Sequence, residues 1–83
     1  MTLDEMKAYL DAHGAEPCYT IGGLGGGEID GIEYIDGAWY TYFSERGSKN
    51  SYRQWPTEEE AVAFIVESAE SCARHYGLWK DTA

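Results

Sequence analysis

Gly31-Ile-Glu-Tyr-Ile35, then Asp36-Gly37, then Ala38-Trp-Tyr-Thr-Tyr-Phe-Ser44 is the stretch whose reading decides the fold. Two β-branched and aromatic runs flank an Asp-Gly pair, which suits a two-residue type I′ turn with positive φ at both central positions. The spacing predicts a hairpin in which Ile35 faces Ala38, Tyr34 faces Trp39, Glu33 faces Tyr40 and Ile32 faces Thr41. Successive strand side chains point to opposite sides, so Ile32, Tyr34, Trp39 and Phe43 share one face. Glu33, Ile35, Ala38, Tyr40 and Tyr42 share the other. The first set has the volume to meet amphipathic helices and is expected to be the covered face.

Helices flank this hairpin on both sides in sequence. Thr2-Leu-Asp-Glu5 has the spacing of a capping box, and Leu3, Met6, Tyr9, Leu10 and His13 follow at helical intervals until Gly14 supplies a stop. Thr57-Glu-Glu-Glu60 is a second such box, with three carboxylates suited to the positive end of a helix dipole. From it Ala61, Phe64, Ile65, Ser68, Ala69, Cys72 and Tyr76 trace one face as far as Gly77.

Cys18-Tyr-Thr-Ile21 reads as a short strand, Gly22-Gly-Leu-Gly-Gly-Gly27 as a flexible connector and Ser44 to Asn50 as a polar loop. Ser51-Tyr-Arg-Gln-Trp55 reads as a last strand, ended by Pro56. Tyr52 and Trp55 have opposite parity, so both point inward only if the strand carries a bulge. The expected architecture is one α+β domain over residues 1–83: helix, a mostly antiparallel three- to four-stranded sheet, helix, with both helices on one sheet face.

A chain of 83 residues buries only about 60 to 65% of its unfolded surface, which leaves no room for a second core. Six basic against 15 acidic residues give a net charge of −9, which repels phosphate backbones and anionic bilayers, so neither nucleic acid nor membrane is an expected partner. An aromatic content of 14% is well above that of segments too polar to collapse, so the chain is expected to fold. The amino terminus has neither the basic nor the apolar segment of a secretory signal, and the expected location is cytoplasmic. Cys18 and Cys72 are too few for a disulfide scaffold and read as free thiols.

Catalytic and cofactor chemistry finds little support. The glycine run lacks the Lys-Ser/Thr of a phosphate loop and leads into Glu28 and Asp30, where a phosphate would meet like charge. Cys18, Cys72, His13 and His75 show no metal-ligand spacing, and the carboxylates show no paired-acid arrangement. The expectation is no enzyme, no metal and no cofactor. What remains is the open sheet face: Tyr40 and Tyr42 project from it with Glu33 between, and Glu28, Asp30, Asp36 and Glu45 rim the same hairpin. Tyrosine gives large contact area at low entropy cost, and acids steer a basic partner, so these residues form the candidate partner-binding surface. The plain alternative is that the tyrosines cover a sheet face and the acids keep the chain dissolved.

Ile35-Asp-Gly-Ala-Trp-Tyr-Thr-Tyr-Phe-Ser-Glu-Arg-Gly47, followed by Trp55-Pro-Thr-Glu-Glu-Glu-Ala61, resembles small bacterial immunity proteins of polymorphic and contact-dependent toxin systems. The resemblance implies a cytoplasmic, non-catalytic inhibitor, monomeric or weakly dimeric, that neutralises one cognate toxin domain. Many such toxins are basic nucleases, which suits a partner of this charge. It also adds Glu45 and Arg46 as motif residues of the binding surface; read physically, both are loop residues after a strand. The competing reading is an acidic adaptor or regulatory module for another basic protein.

Overall fold

A computed structural model of the chain describes residues 1–25 and 27–82. The first helix, α1 (Leu3–Ala12), starts on the expected capping box: Thr2 Oγ1 accepts from Glu5 N at 3.2 Å, and Thr2 N donates to Glu5 Oε1 at 2.8 Å. A 3-10 turn over Glu16–Cys18 takes Cys18 out of the predicted strand, leaving β1 (Tyr19–Ile21). There follow β2 (Ile29–Ile35), β3 (Ala38–Glu45), β4 (Ser48–Trp55) and α2 (Glu58–His75). The strands form one sheet in the order β1-β2-β3-β4. The fold is α+β, and its sheet is antiparallel except that β1 runs parallel to β2.

The β2–β3 hairpin has the predicted register throughout, with Asp36 at φ 49° and Gly37 at φ 82°. Ser44 to Asn50 is not a loop. Arg46 (φ 48°) and Gly47 (φ 78°) form a second two-residue turn of the same handedness, and β4 begins at Ser48. Arginine is uncommon at positive φ, which is why this turn carried no sequence signal. β4 carries a bulge opposite Tyr42, where Phe43 pairs with Asn50 and Thr41 with Arg53; Ser51, at φ 57°, lies within it. The bulge does not bring Tyr52 inward. Trp55 faces the helices and Tyr52 the opposite side.

α2 lies across β2, β3 and β4, while α1 packs on α2 and on the 3-10 turn. Met6, Leu10, Cys18, Tyr19, Ile32, Ala61, Val62, Ile65, Ala69 and Ala73 make one buried core between helices and sheet. Ile32, Trp39 and Phe43 lie on the helix side as expected, and Trp55 Nε1 donates to the buried Thr41 Oγ1 at 2.8 Å. Tyr34 has the same parity but is 59% exposed, because it stands at the hairpin tip beyond α2's cover. Val62 and Ala73 belong to the buried face of α2, whereas Tyr76 is its exposed C-cap.

The two helices share an end cap. Leu3 N, one of the first-turn donors that α1 cannot satisfy itself, bonds Glu58 Oε2 at 2.8 Å, while Thr57 Oγ1 accepts from Glu60 N. At the far end Gly77 (φ 71°) closes α2, with Leu78 N donating to Ala73 O at 2.7 Å and Gly77 N to Arg74 O at 3.2 Å. The tail then returns to α1, where Lys80 N bonds His13 O and the Trp79 ring stacks on His13 at 4.7 Å. Among the described residues no helix is long and apolar enough to cross a membrane.

Candidate binding face of the sheet

The sheet face away from the helices divides into two halves. Parallel neighbours ordinarily need a long crossover, but β1 is only three residues long, so residues 22–28 suffice to return to the start of β2. Gly22, Gly23 and Gly25 of this connector lie against this face. Tyr42 Oη donates to Gly23 O at 2.7 Å, Gly25 N donates to Ser44 Oγ at 2.8 Å, and Lys49 Nζ donates to Gly22 O at 2.9 Å. The glycine run is thus a cover bonded to the sheet; Gly26, part of that run, lies outside the described residues.

Tyr42, expected to be exposed, is 1% exposed under this cover. Its ring lies over Gly31, its partner across the ladder, and a Cβ on Gly31 would overlap that ring. Lys49 Nζ sits 5.0 Å from the Tyr42 ring centre, and the Tyr52 ring stacks on Tyr42 at 5.4 Å. Burial holds the Tyr42 hydroxyl above its ordinary pKa, with the Glu33 charge adding to it.

The second half is uncovered. Glu33 is fixed by Tyr52 Oη, which donates to Oε1 at 2.6 Å, and by Lys49 Nζ at 3.4 Å from Oε2. Tyr52 is 47% exposed, its hydroxyl pushed up to about 12 first by the Glu33 bond and then by burial. Half-buried Tyr40 meets Tyr52 edge-on at 6.2 Å, pairs with Glu33 on β2 and Gln54 on β4, and has exposed Ile35 nearby on the same face. The result is a rigid aromatic patch with one carboxylate held in place. Lys49 lies outside the predicted strand Ser51–Trp55, and Tyr52 lies inside it with its facing left open by its opposite parity to Trp55, so neither joins the predicted surface.

The remaining candidates do not join this patch. Asp30 turns to the helix side, where it accepts from Ser68 Oγ. Asp36 is exposed in the first turn, while Glu45 and Arg46 lie at the second, across the length of β3, about 25 Å away. Arg46 is exposed in its turn, and Glu45 O accepts from Ser48 Oγ at 2.9 Å; Arg46 makes no ion pair with Glu45 or Asp30. Glu28 is exposed beside the start of β2.

Charge and aromatic surface are also separated. Asp4, Glu5, Asp11, Glu16, Glu58, Glu59, Glu60, Glu67 and Glu70 all belong to the helices and the 3-10 turn, which carry only Lys7 and Arg74 against them. The strands and turns hold Arg46, Lys49 and Arg53, half of the basic residues, and Glu33 on the open face is offset by Lys49. Most of the negative charge therefore lies in the helical layer, and the tyrosine patch lies on the opposite side of the sheet. Among the described residues no three His, Cys, Asp or Glu side chains converge as metal ligands would. No protein-family model matches the chain, and no curated protein or solved structure matches it significantly.

Proposed function

We propose that this chain is a non-catalytic protein-binding domain that acts as an immunity-type inhibitor, neutralising a basic toxin domain in the cytoplasm. The observation that carries the reading is the uncovered patch of Tyr40, Tyr52 and Ile35 around the fixed Glu33. Tyrosines on a rigid sheet lose little entropy on docking, and Glu33, bonded to both Tyr52 and Lys49, holds the patch in place beforehand. The −9 charge acts at longer range: a field from the helical layer raises the encounter rate with a basic protein whichever face docks.

Affinity capture from the source cell with wild type and with Tyr52→Ala, followed by titration of the captured protein, tests the reading. The expected result is a basic protein, toxic when produced without this chain, whose binding falls by about 2 kcal/mol or more in Tyr52→Ala. The exposed α2 change Glu67→Lys is expected to slow association and leave dissociation nearly unchanged. A basic partner without toxicity identifies an adaptor instead. Loss of binding in Glu67→Lys with none in Tyr52→Ala places the docking surface on the helices and overturns the assignment.

A further inference from the structure

The 3-10 turn Glu16–Cys18 packs directly against α2, and the chain's two cysteines, widely separated in sequence, pack into the same core. Cys18 is 3% exposed within the core, and Cys72 is half-buried against that same core. Cys72 also lines an open groove with Pro17, Glu28, Ile29, Tyr76 and Leu78, between the turn, the connector and the end of α2. One thiol thus reaches solvent through the groove, while the other lies behind it in the interior. Neither forms a disulfide in this structure.

We propose that Cys18 and Cys72 form a dithiol site that reacts with a low-molecular-weight disulfide of the glutathione type and closes into an intramolecular disulfide joining the 3-10 turn to α2. Cys72 acts first because the groove gives it access: its thiolate attacks one sulfur of the small disulfide, the S–S bond breaks, and one small thiol leaves, taking up a proton. The Cys18 sulfur then attacks the Cys72 sulfur of the mixed disulfide and gives up its proton. The second small thiol leaves with it. Two protein thiols are oxidised and one small disulfide is reduced to two thiols, so electrons and protons balance. The order agrees with the surroundings of Cys18, where burial, and then the neighbouring Cys72 thiol, push the thiol up to about 12 and make it a poor initiator.

The purified, fully reduced chain is equilibrated with buffers of increasing oxidised glutathione, acid-quenched, and read by intact mass and free-thiol count. The expected product is a monomer two hydrogens lighter, with no free thiol and a melting point raised by about 10 °C. Cys18→Ser is expected to stop at a glutathione adduct on Cys72, and Cys72→Ser to leave Cys18 unmodified while folded. The wild-type measurement stands alone if either variant fails to fold. Persistent adduct on wild-type Cys72, disulfide-linked dimers, or a chain that stays reduced in buffers that oxidise its denatured form would each overturn the proposal.

Discussion

Tyr40 and Tyr42 leave the same strand on the same side, two positions apart, and reach opposite environments. Tyr42 is closed in by Gly31 beneath it, the connector above it and Lys49 beside it, whereas Tyr40 stays half-buried with Tyr52 against its edge. Alternation fixes which side a strand residue takes. Burial there depends on what the rest of the chain lays over it, and a seven-residue connector is long enough to cover half of this face.

The sharpest test of that difference is truncation. Tyr42→Ala removes a buried ring and is expected to cost about 3 to 5 kcal/mol in chemical denaturation, while Tyr40→Ala is expected to cost less than about 1 kcal/mol. Equal costs would mean that the two halves of the face are covered alike.

Next in size is Gly31→Ala. The added Cβ meets the Tyr42 ring, which is held from above by the bond to Gly23 and has little room to yield. The expected cost is about 1 to 3 kcal/mol, and it should largely vanish when the change is made in a Tyr42→Ala background. A cost that persists there would trace to the backbone of β2 and not to the ring above it.

The smallest effect belongs to the open half. The Tyr52 hydroxyl is pushed up to about 12 in the folded chain, against 10 for an ordinary tyrosine, because it donates to the Glu33 carboxylate. A raised folded value means that the protonated form favours the native state. Its contribution is complete below pH 10 and is lost as the pH rises through 12. Tyr52→Phe is therefore expected to flatten part of the stability decline between pH 10 and 12, and to remove one late-ionising tyrosine from an ultraviolet titration. An unchanged titration would show that the Tyr52–Glu33 bond does not persist in solution.

The two turns show how far local sequence reaches. Asp36-Gly37 and Arg46-Gly47 adopt nearly the same positive φ angles. Asp beside Gly signals positive φ, whereas Arg beside Gly does not, so the first hairpin was legible and the second was read as a loop. The displaced start of β4 concealed Lys49 as a member of the open face, while the opposite parity of Tyr52 and Trp55 left the side taken by Tyr52 open. Gly31 was legible in principle, since the predicted register already sets it opposite Tyr42, and a glycine inside a strand marks a close approach.

By itself the sequence determined the elements built from short-range chemistry: the Thr2 and Thr57 caps, the Asp36-Gly37 hairpin with its register, and the separation of Ile32, Trp39 and Phe43 from Glu33, Tyr40 and Tyr42. Each follows from interactions within a few residues or from the strict two-residue alternation of a strand. Only the tertiary structure decided that β1 runs parallel to β2, that the glycine connector returns over Tyr42 and Ser44, that Cys18 and Cys72 pack into one core, and that most of the carboxylates gather on the layer opposite the exposed tyrosines. Those outcomes depend on where distant segments come to rest, and glycines in a connector permit many paths. The path taken is selected by partners far away in sequence, among them the Tyr42 hydroxyl, the Ser44 hydroxyl and the Lys49 ammonium, which the connector's backbone must find once the sheet has formed.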